Sequence, residues 1–283
     1  MANVAGRATL MATWGDELTG HDLEAASKGV LPADPRAALE RWDEVRTWAA
    51  SAELGTPTSI DREQLGPPSP RPQQIVAIGL NYSDHATEAG FAVPDTLPPT
   101  FTKFVTSLAG PDEVVTLPRD GHTDWEVELV AVIGRAARHV GPDQAWSHVA
   151  GVTVGQDLSE RISQMAGPAP QFSLGKSFPR FAPTGPWLVT PDELDDPDDL
   201  ELGARIDGEV VQRDRTSRLI FPVAQLVAHL SEVLTLLPGD LLFTGTPAGV
   251  GMGREPARYL APGETLVSWI EGVGEIRQTF VAG

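Results

Sequence analysis

Beyond residue 66 the chain breaks into short β-prone runs separated by Gly and Pro, with few helical stretches between them. Runs rich in Val, Ile, Leu, Phe and Trp at 75–79, 114–117, 125–133, 149–155, 187–190, 202–206, 209–214, 240–244, 265–270 and 275–281 read as strands. Asp207-Gly208 suits a tight hairpin, and Pro238-Gly239 and Pro262-Gly263 suit type II turns. Only 223–236 and 159–165 read as helices in this region. A doubly wound parallel sheet needs strands and helices in regular alternation, which is absent here. The expected body is therefore a β-rich α+β fold with a mixed or antiparallel sheet, and no internal repeat is visible.

Composition shifts at Gly66-Pro-Pro-Ser-Pro-Arg-Pro72, a stiff, extended connector. Before it, β-prone residues near 8–14 predict strands. Ala38, Leu39, Trp42, Val45 and Trp48 lie at helical spacing within 35–52. The expected division is a small accessory N-terminal domain over 1–65, a linker over 66–72 and a catalytic domain over 73–283. At a formal charge of −18 and a pI of about 4.6, the chain lacks the clustered cations of a nucleic-acid groove. The absence of Cys excludes thiolate catalysis and Cys-ligated metals. No signal peptide or membrane-length apolar run is visible, so a cytoplasmic protein with no membrane partner is expected.

The chemistry is densest at Asp124-Trp-Glu-Val-Glu-Leu129. On a strand Asp124, Glu126 and Glu128 share one face, with neighbouring carboxylates roughly 7 Å apart. The apolar run 129–133 that follows marks an interior strand. Anions aimed into a buried space repel one another and lose hydration, and a hard divalent cation relieves both costs; a solvent-facing acidic edge is the alternative. Asp157 follows a strand directly: it is either a third metal carboxylate or a helix N-cap with Glu160 three residues on. His85 and Glu88 are one helical turn apart, so the carboxylate could orient the imidazole as a general base, or the two could be an ordinary surface pair. Lys176 stands between apolar residues, where it snorkels or meets an anion; Arg161 and Gln212 are similarly isolated. Phe243-Thr-Gly-Thr-Pro-Ala-Gly-Val-Gly-Met-Gly253 lacks the ending of a nucleotide loop. Its N–H groups, with Thr244 and Thr246, could bind a small carboxylate, or the loop could be a plain wide turn.

Taken together, these pieces resemble the fumarylacetoacetate hydrolase family. Gly-Leu-Asn-Tyr-x-x-His-x-x-Glu ending at Glu88, 124–134, 149–164, Gly175-Lys-Ser-Phe178, Gly185-Pro-Trp-Leu-Val-Thr190, Gly208-Glu-Val-Val-Gln212, Leu237-Pro-Gly-Asp240 and Thr244 to Gly251 occur in that family's order across roughly 72–280. The resemblance implies a mixed β-roll or sandwich, a homodimer, and Mg²⁺ or Mn²⁺ held by Glu126, Glu128 and Asp157. It implies His85 and Glu88 as the water-activating pair on a segment that often acts as a lid. Lys176 would be the oxyanion partner, with Gln212, Thr246 and Arg161 as substrate contacts. The expected partner is a small 2-oxo acid, cleaved at a carbon–carbon bond as an acylpyruvate through a metal-held enolate. Tautomerisation or decarboxylation of an oxaloacetate-like acid is the alternative, as is a non-catalytic dicarboxylate-binding protein. Three positions depart from the family pattern: Gln156 replaces an Asn, Ile162 an Asp, and Pro179-Arg180 an acidic stretch. Arg180 suggests a cation for a second substrate carboxylate.

Overall fold

The computed structural model describes residues 1–12, 18–88, 90, 92–96 and 99–283. Its centre is a seven-stranded mixed sheet in the spatial order Thr100–Thr102, Ile75–Ile78, Leu241–Phe243, Val127–Ile133, Val149–Gln156, Ala182–Val189 and Leu108–Ala109. Val127–Ile133 lies in the middle, buried along its whole length and antiparallel to both neighbours. Because it is apolar on both faces, it serves two cores at once. Leu129, Ala131 and Ile133 enter one core, while Val130 and Val132 enter the other.

On the first face lies a five-stranded sheet ordered Glu209–Arg215, Glu201–Ile206, Thr265–Ile270, Gly274–Ala282, Asp112–Leu117. Leu202, Ala204, Ile206, Ile276 and Phe280 bring it into the first core. The second face is covered by residues before the Pro-rich segment, through Ala8, Leu23, Leu39, Trp42 and Val45. Ala8 belongs to a second five-stranded sheet, Leu23 to the short helix Leu23–Ala26, and the others to the helices Pro35–Glu40 and Trp42–Ala49. The helix expected over 35–52 is thus two, with Asp34 capping the first by accepting from the Ala37 N–H at 3.0 Å. Of the two strands expected near 8–14 one is seen, as Arg7–Met11, and Thr13 and Trp14 lie outside the described residues. The segment around 66–72 is pinned to the body, Ser69 Oγ donating to the Gly239 carbonyl at 2.6 Å.

One local departure from the expected strands matters for the site. The strand expected over 125–133 breaks at its start. Thr123–Asp124 pairs instead with Ser159–Glu160 in a separate ribbon, and the sheet strand begins at Val127. The Glu126 N–H donates to the Gln156 side-chain Oε1 at 2.8 Å, so a side chain stands where a backbone ladder would continue. No helix among the described residues is long and apolar enough to cross a membrane.

Candidate active site

Antiparallel register places Val127 opposite Gln156 and Glu128 opposite Gly155. Glu126, Glu128 and Asp157 therefore meet at one end of the central strand pair. One oxygen from each lies within 4.8 Å of the others, and all three residues are buried. Gln156 steers this geometry: its Oε1 holds the Glu126 N–H and its Nε2 donates to Ser268 Oγ at 2.9 Å, linking both sheets to the acids. The Asp157 N–H donates to the Glu126 carbonyl at 2.9 Å. The helix-cap alternative for Asp157 does not hold, because the helix Arg161–Gln164 is capped by Glu160, which accepts from the Ile162 and Ser163 N–H groups.

Cations crowd two of the acids and miss the third. Lys176 Nζ lies 2.7 Å from Glu126 Oε2 and 2.6 Å from Asp157 Oδ2. Lys103, fully buried, reaches Asp157 Oδ1 and the Lys176 carbonyl. Arg161 pairs with Glu126 at 2.7 Å and with Asp124 at 2.8 Å. Burial alone would raise Glu126, yet Lys176 and Arg161 hold its pKa down at about 2. Among the described residues Glu128 accepts only the Gly245 N–H, at 2.7 Å, and burial beside Asp157 and Glu126 drives its pKa well above the carboxylate range. Three buried oxygen donors, one lacking a cation, fit a hard divalent ion.

Asp124 faces elsewhere. It accepts N–H groups from Gly251 at 2.7 Å and Met252 at 2.9 Å, and so anchors Arg161 to the Gly-rich loop. That loop does bind carboxylates through its N–H groups, but the acids are the protein's own: Glu128 at Gly245, Glu88 at Gly249 and Asp124 at Gly251. A Cβ on Gly253 would come within 2.2 Å of Glu88 Cγ, so glycine is needed for this approach. His85, on the helix Ser83–Glu88, is buried, and its Nδ1 lies 3.5 Å from Glu88 Oε2 with no hydrogen-bond partner among the described residues. Asn81 fixes the base of that helix, donating to the Phe221 and Thr244 carbonyls at 3.0 and 2.8 Å.

His85, Glu126, Arg161, Lys176 and Thr246 line a cavity of ≈ 40 Å³. Larger hollows exist, one of ≈ 1150 Å³ beside Arg205 and Trp269. Among the described residues, however, the only grouping suited to a metal is Glu126, Glu128 and Asp157. The profile of the fumarylacetoacetate (FAA) hydrolase C-terminal family matches residues 74–281. The chain belongs to this family. A 2,4-didehydro-3-deoxy-L-rhamnonate hydrolase of Sphingomonas sp. (strain SKA58) is 49% identical over 207 residues, 72% of each chain. The mitochondrial oxaloacetate tautomerase of Homo sapiens is 44% identical over 210 residues, 74% of this chain and 67% of the relative. The crystal structure of maleylpyruvate hydrolase from Sphingobium sp. SYK-6, in complex with manganese(II) and pyruvate, superposes with a TM-score of 0.78 at 27% identity, covering 100% of this chain and 98% of that one. The β-rich mixed fold expected from the sequence is thus the fold of the fumarylacetoacetate hydrolase family.

Two side chains expected at the pocket wall are engaged elsewhere within the protein. Gln212 is buried behind the wall: Nε2 donates to Thr246 Oγ1 at 2.9 Å and the Pro247 carbonyl at 2.7 Å, and Oε1 accepts from the Val127 N–H at 3.0 Å. Its amide is spent bracing Thr246. Arg180 is exposed and turned to the Val114 carbonyl at 2.7 Å and Glu113 at 3.2 Å, away from the cavity. Ile162 is likewise exposed at 53%. Lys103 was not singled out from the sequence, although a signal existed. The chain has three lysines among its 21 basic residues, and two of them stand at this site.

Proposed function

We propose that this protein is a metal-dependent hydrolase that cleaves the carbon–carbon bond of an acylpyruvate-type 2-oxo acid, with Glu126, Glu128 and Asp157 holding Mg²⁺ or Mn²⁺. The observation that carries this reading is a buried carboxylate triad one of whose members, Glu126, lines a cavity together with the buried His85. When bound, the divalent cation supplies a Lewis acid for the substrate's carboxylate and 2-oxo oxygens. His85, steadied by Glu88, takes a proton from water, whose oxygen bonds to the distal carbonyl carbon. Lys176 donates a hydrogen bond to the resulting oxyanion. As the carbonyl re-forms, the adjacent carbon–carbon bond breaks, its electron pair leaves with the pyruvate fragment, and a proton completes pyruvate. Arg161 positions Glu126, while Thr246, braced by Gln212, faces the substrate.

A second reading is favoured by one contact. Glu88 is held by the Gly249 N–H at 3.1 and 3.2 Å, farther from His85 at 3.5 Å. A histidine working alone suits proton shuttling between keto and enol forms, the chemistry named for the human relative. The proposal also places the protein in the cytoplasm as a homodimer, with the division into 1–65, 66–72 and 73–283 kept. A panel of acylpyruvates plus oxaloacetate, followed by ultraviolet loss and pyruvate yield, separates the readings. Equimolar pyruvate from an acylpyruvate supports hydrolysis; turnover of oxaloacetate alone would move the assignment to the tautomerase.

A further inference from the structure

Each acid of the triad has one oxygen committed to the protein around it. Glu126 Oε1 meets Arg161 at 2.7 Å, Glu128 Oε2 accepts the Gly245 N–H at 2.7 Å, and Asp157 Oδ1 accepts from Lys103. Among the described residues this leaves one further oxygen per acid: Glu126 Oε2, Glu128 Oε1 and Asp157 Oδ2. Lys176 Nζ already draws two of these together, at 2.7 Å from Glu126 Oε2 and 2.6 Å from Asp157 Oδ2.

Lys103 is firmly held in its role. Its side chain is fully buried, where an ammonium is costly unless paired. Besides Asp157 Oδ1 it donates to the Lys176 carbonyl, with the Leu158 carbonyl at 3.5 Å. Its backbone is pinned as well: the Lys103 N–H donates to the Ile75 carbonyl at 3.1 Å, and the Phe104 N–H to Ser177 Oγ at 2.9 Å. Asp157 Oδ1 therefore stays committed to Lys103.

We infer that Lys103 is a positioning residue that sets which divalent ion the triad accepts, by limiting Asp157 to the single ligand oxygen Oδ2. This rests on the reading of Glu126, Glu128 and Asp157 as metal ligands and deepens it. A small octahedral ion such as Mg²⁺ or Mn²⁺ is served by one oxygen per carboxylate, with water or substrate in its other positions. Ca²⁺ is larger, takes about six to eight oxygens and often draws two from one carboxylate. Holding back Asp157 Oδ1 thus disfavours Ca²⁺ more than Mn²⁺.

The test measures Mn²⁺ and Ca²⁺ affinities by titration calorimetry for the full chain, Lys103→Met and Lys103→Arg, beside metal-free melting temperatures. Removing an ammonium strengthens the attraction for both ions alike, so the Mn²⁺ to Ca²⁺ affinity ratio isolates the effect at Asp157. That ratio is expected to fall about tenfold in Lys103→Met, the low end of what an outer partner of a metal ligand is worth. It should stay near the parent's in Lys103→Arg, which keeps a donor. A merely structural lysine would lower the melting temperature in Lys103→Met and leave the ratio unmoved. A second measurement needs no variant: a crystal structure of the parent with Mn²⁺ should show Asp157 holding the ion through Oδ2 alone, with Oδ1 on Lys103. A two-oxygen grip by Asp157, or an unchanged ratio in folded Lys103→Met, would overturn the inference and leave the triad's metal role standing. A parent that binds neither ion would overturn both.

Discussion

Among the described residues Glu128 is the one acid of the triad without an ion pair. Lys176 and Arg161 neutralise Glu126, and Lys103 and Lys176 neutralise Asp157, but Glu128 has a single backbone N–H. A carboxyl whose pKa is raised on folding adds stability while protonated and loses it as pH rises through the raised value. The metal-free protein is therefore predicted to lose stability from the ordinary carboxylate range upward, a trend Glu128→Gln should flatten. The opposite sign applies to Glu126, whose contribution is present above its ordinary value of 4.5 and lost as pH falls toward about 2. At neutral pH Glu128→Gln should raise the melting temperature of the metal-free protein by roughly 2–4 °C, while abolishing the rise that Mn²⁺ gives the parent. Thermal melts with Mn²⁺ and with chelator check both; a lowered metal-free midpoint would contradict this account. The acids were legible because a strand's two-residue period puts Glu126 and Glu128 on one face, whereas Lys103 directly follows the short edge strand Thr100–Thr102 and its partners are distant in sequence.

Among the elements, the Gly-rich loop does the most to organise the site. Its N–H groups hold Glu128, Glu88 and Asp124 at once, so it couples the metal acids to the helix that bears His85. Sequence reading recognised the anion-binding chemistry but not the anions, because which acids reach the loop is fixed by pairing across more than a hundred residues. Gly253→Val is predicted to push the Glu88 side chain off the Gly249 N–H, since even a Cβ would stand 2.2 Å from Glu88 Cγ. Turnover should fall by about 10–100-fold, the scale of a displaced catalytic group, with Mn²⁺ affinity unchanged. Steady-state kinetics beside a metal titration test this; loss of metal binding would show that the loop's main task is at Glu128. The break at Trp125-Glu126 was equally hidden, because the Gln156 side chain that replaces the ladder bond is not visible in any local pattern.

At the scale of the molecule, one sheet has two cores, and the site grows from the end of its central strands. Strand positions and the mixed topology could be read from alternation, turns and the missing helices. The packing of residues 1–65 on the second face could not, since it depends on contacts such as Trp42 near Gly134 and Ala150, far apart in sequence. Trp42→Ala should cost about 3–5 kcal/mol of stability yet leave Mn²⁺ affinity within error, because Trp42 lies in the core opposite the one holding Trp125, Val127 and Leu129. Denaturant unfolding with a metal titration checks this, and a matching loss of affinity would show that the two faces are coupled. The most direct test of the central claim is pyruvate released per acylpyruvate consumed, with Mn²⁺ and with excess chelator, for the parent and for Glu126→Ala. The account predicts equimolar pyruvate that needs the metal and nearly vanishes in Glu126→Ala. Activity that survives the chelator, or a Glu126→Ala variant that keeps both turnover and metal, would contradict it.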